Sequence, residues 1–428
     1  MLMAAMRCNI PAIVVSGGPM MPGRGCDGQP LTLTDMRELI GRTQTGVMTV
    51  SQLMETEKSA LPGCGTCSML GTANTMGCLA EVIGMSLPGC GLSHAATADK
   101  RRIAKQSGRR IVEMLKENLC PRDIITRQAL CNGIMVSMAM GASTNSTLHL
   151  PAIAYEGGIN LSLDDFDFYS RKVPYLCNIK PSGVHPLFDL EQCGGIPVVM
   201  KAVEPLLFGD AVTCTGKTVK ENLCSVPLVE NDVIFPRSHP KKSDGGLAIL
   251  HGNLAPNGAV VKKSGVKPSM YYFKGRARVF HSMEEASDAV SGDQIQTGDI
   301  LVITYEGPKG GPGMREMHMT TSLIVGRGMD ESCALITDGR FSGSTRGPCI
   351  GHISPEAAAG GPIAAVQEGD EIIIDIENRS LTLCVSEEEI QRRLAQVQHV
   401  HKPRTPALGR YAALVSSADQ GAVLKKPE

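Results

Sequence analysis

The stretch Asp299-Ile-Leu-Val-Ile-Thr-Tyr305-Glu-Gly-Pro-Lys-Gly-Gly-Pro-Gly-Met-Arg-Glu316 decides how this chain folds. A continuous apolar and β-branched run, stopped by a turn rich in glycine and proline, predicts a strand buried on both faces. Working outward, Cys333-Ala-Leu-Ile-Thr337 and Glu371-Ile-Ile-Ile-Asp-Ile376 repeat that pattern, and Glu377-Asn-Arg-Ser380 predicts a hairpin onto residues 381–385. Ser386-Glu-Glu-Glu389 then caps a helix with Ile390, Leu394 and Val397 inward. On the other side, Pro236, Pro240 and Lys241-Lys-Ser-Asp-Gly-Gly246 form a polar boundary after a change of character near Pro227.

Before that boundary, helical patterns dominate. Residues 97–118 place Ile103, Ile111, Val112 and Leu115 on one stripe. Thr126 caps a helix that runs through Met140 and stops at Gly141; it is apolar nearly all round and so predicted to be buried. Ser162 and Asp165 resemble a capping box before another helix. Met1 to Ala5 read as the tail of a helix, and Asn9-Ile-Pro-Ala-Ile-Val-Val-Ser-Gly-Gly18 as a buried strand entering a glycine turn. That is the middle of an α/β unit, so the chain is expected to be truncated at its N-terminus. The fold class is α/β: an α-rich α/β domain over residues 1–227, incomplete at its start, then a β-rich domain over residues 228–428, with no internal repeat.

At 428 residues the chain exceeds one domain of the usual ~150. Its 42 basic and 43 acidic residues leave a net charge of -1, which argues against a nucleic-acid or membrane-surface binder. With no tryptophan and only 4% aromatic residues, the core must be aliphatic and methionine-filled. No apolar run reaches membrane-spanning length. Arg7, Asn9 and Pro11 interrupt the apolar opening, which makes a poor signal peptide. The 15 cysteines are odd in number, and Cys78, Cys131, Cys214, Cys333 and Cys384 lie in apolar stretches, so they are read as packed thiols in a reducing compartment.

Three segments could carry chemistry. Cys64-Gly-Thr-Cys67-Ser-Met-Leu-Gly-Thr-Ala-Asn-Thr-Met76 puts thiols in a glycine-rich turn before a helix; the spacing fits a redox pair, half a zinc site, or chance. The loop ending in Glu316 has glycines that can present N–H groups to an anion, and Glu316 offers a hard oxygen for a divalent cation. Asp338-Gly-Arg-Phe-Ser342-Gly-Ser-Thr-Arg-Gly347 follows a buried strand without a Gly-x-Ser-x-Gly elbow, so Ser342 is either a base helped by nearby cations or a turn residue beside two anion-binding arginines. His399 and His401 sit in a polar tail, while His94, His149 and His318 are isolated.

Together these segments resemble the dihydroxy-acid and phosphogluconate dehydratase family. The likeness continues through Met140-Gly-Ala-Ser-Thr-Asn145, Lys180-Pro-Ser-Gly183, Gly194-Gly-Ile-Pro-Val-Val-Met200, Thr215-Gly-Lys-Thr218, Gly245-Gly-Leu-Ala-Ile-Leu-His-Gly-Asn-Leu-Ala255, Gly351-His-Ile-Ser-Pro-Glu-Ala-Ala358 and Leu414-Val-Ser-Ser417, essentially the whole chain. The resemblance implies a barrel-like C-terminal swivel domain with the site between the two domains. It implies an iron–sulfur hydro-lyase that dehydrates 2,3-dihydroxy carboxylic acids to 2-keto acids for valine and isoleucine synthesis. An open iron would take the 3-hydroxyl, Mg²⁺ would grip the carboxylate and 2-hydroxyl, and a serine alkoxide would remove the C2 proton. Carried onto this chain, Cys67 is a cluster ligand ([2Fe–2S] or [4Fe–4S]), Glu316 a Mg²⁺ ligand and Ser342 the general base.

The family pattern places the other cluster cysteines, an aspartate pair and a modified lysine in a further N-terminal segment, and Cys8 and Cys26 fall where no ligand is required. The expected partner is a small dihydroxy acid, without nucleic acid or membrane, in a homodimer that is cytoplasmic, or organellar in a eukaryote. The alternatives are a sugar-acid (aldonate) dehydratase of the same family, to which residues 70–76 have some likeness, and a catalytically inactive fragment.

Overall fold

The computed structural model describes residues 1–25, 28–397, 400, 402 and 404–425; Cys26, His399 and His401 lie outside the described residues. The chain divides into one unit of Met1–Met36, Met54–Leu161 and Asp165–Gly246, and a second of Arg37–Leu53, Ser162–Asp164 and Leu247–Glu428. None of the described helices is long and apolar enough to cross a membrane.

The first unit is built on helices α1 (Thr72–Val82), α2 (Ala98–Glu117), α3 (Arg127–Met140) and α4 (Ser146–Glu156). α3 begins where the Thr126 side chain accepts the Ala129 N–H at 3.3 Å and ends at left-handed Gly141. Every residue from Ala129 to Met140 is buried, which is what an apolar surface all round requires, and α1 and α4 pack against it.

α2 departs from the expected stripe. Thr97 and left-handed Asn118 cap it, but Val112 and Leu115 are 51% and 60% exposed, and the buried positions are Lys100, Ser107 and Met114. The face is set by polar anchors: Lys100 Nζ donates to the Cys90 carbonyl at 2.7 Å, and Arg110 Nε to the Cys214 carbonyl at 2.6 Å. Long basic side chains can lay their methylene stems on the core while their heads find acceptors.

The strand expected at residues 9–18 does not form. Among the described residues of this unit, pairing beyond single bridges is limited to Gly23–Arg24 with Pro30–Leu31. The segment is tied to the turn after α1, where the Val14 N–H donates to Met85 O at 2.7 Å, and Ile10 and Val15 stay exposed. An apolar run becomes a buried strand only with neighbouring strands to complete its ladder. The mixed helix and strand class holds for the whole chain, with the sheet concentrated in the second unit.

There, β1 (Ala248–Gly252), β2 (Ala255–Val261), β3 (Tyr272–Phe280), β4 (Asp299–Ile303), β5 (Ala334–Thr337), β6 (Cys349–Gly351), β7 (Glu371–Asp375) and β8 (Ser380–Leu383) close into a barrel. The order is β8-β1-β2-β6-β5-β4-β3-β7, returning to β8. Strands β3 to β6 run parallel, with Ile300 opposite Ala334 and Ile303 opposite Thr337. The expected hairpin joins β7 to β8, with Ile374 opposite Leu381.

The pleat explains the unbroken apolar runs. Ile300, Val302 and Ile336 fill one core inside the barrel, whereas Leu301, Ile303 and Leu335 belong to a second core with α5 (Met283–Ser291) and α6 (His318–Gly326). α7 (Glu387–Gln396) starts at Ser386, whose side chain accepts the Glu389 N–H at 3.3 Å; Ile390 is buried, Leu394 is half-buried, and Val397 lies just beyond its end. The described cysteines are free thiols, and Cys78, Cys131, Cys214 and Cys333 are buried as expected. Cys384 is exposed instead, because the alternation that buries Leu381 and Leu383 turns the next residue outward.

At the register shift between β1 and β2, Gly252 has φ 152°, and a Cβ there would lie 2.1 Å from the Leu381 carbonyl oxygen. Gly252→Ala is expected to destabilise the chain by about 1–3 kcal/mol, seen as a lower urea midpoint. An unchanged midpoint would mean that β8 does not approach this closely.

Candidate functional site

β4 and β5 are parallel neighbours, so the loops that follow them leave the same end of the barrel. Such strand ends are where open parallel sheets gather functional loops. Asp338, at the end of β5, is fully buried, and its carboxylate accepts N–H groups from Tyr305 (3.1 Å), Glu306 (2.9 Å) and Ala357 (2.9 Å). Burial pushes its carboxyl up to about 7 against these donors. The chain leaves β4 through left-handed Tyr305, and left-handed Met314 and His352 lie in neighbouring turns.

The glycine-rich loop is not the open anion cradle that its composition suggests. The Lys309 and Gly310 amides both donate to buried Glu356 at 2.8 Å, and the Gly311 amide donates to Gly307 O. Glu306 is buried and meets Lys402 at 2.8 Å. Gly310 is required by crowding, since a Cβ there would stand 2.8 Å from the Tyr305 backbone.

Glu316 is tied to the segment that carries Ser342 through Arg340. The Glu316 carboxylate meets Arg340 at 2.9 Å, and the two residues also form a parallel backbone bridge. The Met317 N–H donates to the Arg340 carbonyl at 2.8 Å, which fixes the segment carrying Ser342 two residues on. Ser342 is half-buried and its Oγ accepts the Ser344 hydroxyl at 2.9 Å, while the Thr345 N–H donates back to Ser342 O. The arginines are engaged with carboxylates rather than held for an anion: Arg340 with Glu316, and Arg346 Nε with buried Glu38 at 2.9 Å.

A different cation addresses the serine turn. Lys262, just after β2, is buried and donates from Nζ to the Gly343 carbonyl at 2.9 Å. Burial pushes its ammonium down to about 7.

Cys67 belongs to the first unit, half-buried in the turn ahead of α1, with Cys64 exposed. The Asn74 side chain donates to the Cys67 and Met69 carbonyls and so folds this turn onto α1. Buried polar residues from 143–145 brace the start of α1: the Ser143 N–H donates to Thr75 Oγ1 at 3.1 Å and Asn145 Nδ2 to Thr72 Oγ1 at 2.8 Å. His94 is not isolated, since its Nδ1 lies 2.5 Å from Glu191 Oε2. His318 Nδ1 lies 3.2 Å from the Glu316 carbonyl. No three His, Cys, Asp or Glu side chains among the described residues converge into a metal-binding group.

Lys262 and Ser344 are the functional neighbours that sequence reasoning missed. The available signals were a lysine closing the apolar run Ala259-Val-Val-Lys262 and the Ser342-Gly-Ser344 spacing.

A helix-built unit joined to a closed barrel, with a carboxylate and a serine at adjacent strand ends, is the architecture on which the comparisons bear. The chain belongs to the dihydroxy-acid/6-phosphogluconate dehydratase family, whose N-terminal model matches residues 1–222 and whose C-terminal model matches residues 232–422. Among its relatives, the dihydroxy-acid dehydratase of Methanothermobacter thermautotrophicus is 52% identical over 429 residues, which is 99% of this chain and 77% of that protein. The dihydroxy-acid dehydratase of Halothermothrix orenii is 51% identical over 427 residues, with the same shares covered.

The buried lysine gives a measurable sign. Unfolded, Lys262 titrates near its ordinary value of 10.5; folded, near 7. Between these pH values the unfolded chain holds the extra proton, so raising pH favours the folded state. Lys262→Met removes this linkage. Its Tm relative to the native chain should be highest at and below about pH 7 and should fall as pH rises toward 10.5. A difference in Tm that is flat across that window would show that Lys262 does not titrate as a buried group.

Proposed function

We propose that this chain is a hydro-lyase that converts 2,3-dihydroxy carboxylic acids into 2-keto acids, the dihydroxy-acid dehydratase reaction used in making valine and isoleucine. The observation that carries the reading is the loop pair following β4 and β5, where Glu316 is bound to Arg340, two residues before Ser342. A C–H next to a carboxylate is a weak acid, so its removal needs a base stronger than an ordinary serine hydroxyl at neutral pH. Ser342 Oγ would take the C2 proton. The Ser344 hydroxyl donated to that oxygen favours its alkoxide over its neutral form. Loss of the 3-hydroxyl leaves an enol, which tautomerises to the keto acid.

Cys67 is proposed as a ligand of an iron–sulfur cluster, [2Fe–2S] or [4Fe–4S], and Glu316 as a ligand of Mg²⁺. Family membership supports both assignments. When bound, such metals polarise the hydroxyls and carboxylate of the substrate. One thiolate and one carboxylate do not alone make either site, and no group of three donors converges among the described residues. The functional division is proposed at residues 227 and 228, supported by the extents of the two family models. A homodimer in the cytoplasm is proposed from the family resemblance.

In a cluster-loaded form that includes the further N-terminal segment of the family pattern, Ser342→Ala should lower kcat on 2,3-dihydroxyisovalerate by about 10²-fold or more, with KM within a few-fold. Visible absorption of that form should be unchanged in Ser342→Ala and lost in Cys67→Ala, whereas this chain alone, given iron and sulfide, should show no full charge-transfer spectrum. Near-native kcat in Ser342→Ala would return the residue to a turn role, and faster turnover of an aldonate would favour the sugar-acid reading.

A further inference from the structure

We propose that Lys262 is a positioning residue for Ser342, acting through the Gly343 carbonyl. The proposal rests on reading Ser342 as the base, and deepens it. A buried lysine is costly, and most that persist are paired with carboxylates. Nearby Lys263 meets Glu377, and Lys267 meets Asp330 and Glu331. Lys262 instead donates to a neutral oxygen, and that oxygen belongs to the residue immediately after Ser342.

The lysine is held there by the barrel. β2 pairs with β6 through Val260 opposite Gly351 and Val261 opposite Ile350, so Lys262 is the next residue along a fixed rim. The segment leading into β6 is the one that carries Ser342. Its far end is anchored to the same turn as Lys262, because the Gly347 N–H donates to the Gly265 carbonyl at 2.9 Å. The other charged groups around the segment are committed elsewhere: Arg340 to Glu316, Arg346 to Glu38, Asp330 to Lys267 and Asp338 to backbone amides. Lys262 therefore fixes the peptide on the C-terminal side of Ser342, while the Ser344 hydroxyl orients Oγ.

Lys262→Met keeps the length and apolar stem and removes the charged donor. In the full chain without cofactors, hydrogen exchange at the amides of residues 343–347 should quicken by about tenfold or more, the scale of a lost charge-assisted bond, while β3 and β7 stay protected. In the cluster-loaded form that includes the further N-terminal segment of the family pattern, kcat should fall by about tenfold or more, with KM within a few-fold and the visible spectrum unchanged. Unchanged exchange overturns the proposal, and so does faster exchange with native kcat, which would leave Lys262 a structural role only. If the methionine variant does not fold, Lys262→Gln is measured in its place against the same outcomes. Failure of the base reading itself is separate: it would appear as native turnover in Ser342→Ala, whereas the exchange result depends only on Lys262.

Discussion

The carboxylate of Asp338 has no access to water, yet it accepts backbone N–H groups from Tyr305, Glu306 and Ala357. These donors come from the exit of β4 and from the turn beyond β6, so a single side chain sets where two loops begin. A buried amide without an acceptor costs about 1–3 kcal/mol, and three depend on this one group. The left-handed turn at Tyr305 and the packing of Gly310 on its backbone follow from that anchor. Glu356 extends the arrangement by taking the amides of Lys309 and Gly310. The resulting loop pair is rigid because its polar atoms are committed internally.

That commitment changes the electrostatic reading of the serine turn. Counted along the sequence, Arg340 and Arg346 make the segment strongly cationic. In the fold each meets a carboxylate, Glu316 and Glu38, so their charges are largely spent. The positive charge set against the turn comes from a residue eighty positions earlier in the chain, Lys262, delivered by strand pairing. Basic residues near a site in sequence and basic residues acting on it in space are different sets here.

The barrel was legible in the sequence because its strands are runs of aliphatic and β-branched residues set between glycine-rich turns. Residues 300–303, 333–336 and 372–374 are apolar without interruption. The caps at Thr126, Ser386 and Gly141 were legible because they are local chemistry. The phase of α2 was not: its buried face is chosen by Lys100 reaching the Cys90 carbonyl, an acceptor that no periodicity contains. The segment at residues 9–18 failed as a strand for a related reason, since a strand exists only with its partners. Within the site, Glu316 and Ser342 stood out in their glycine-rich surroundings. Lys262 and Ser344 did not, because a lysine ending a strand and a serine in a turn ordinarily need no explanation.

The alternation along β4 also bears on how this sequence can change. Ile300 and Val302 face a barrel that closes on itself, where the enclosed volume is fixed by neighbours on every side. Leu301 and Ile303 instead face side chains of α5 and α6, outside the barrel. Successive codons in one short strand therefore answer to different surroundings, one a closed container of strands and the other a cover of helices. Drift under such constraints would leave a two-residue rhythm of substitution in a segment whose hydrophobicity shows no rhythm at all.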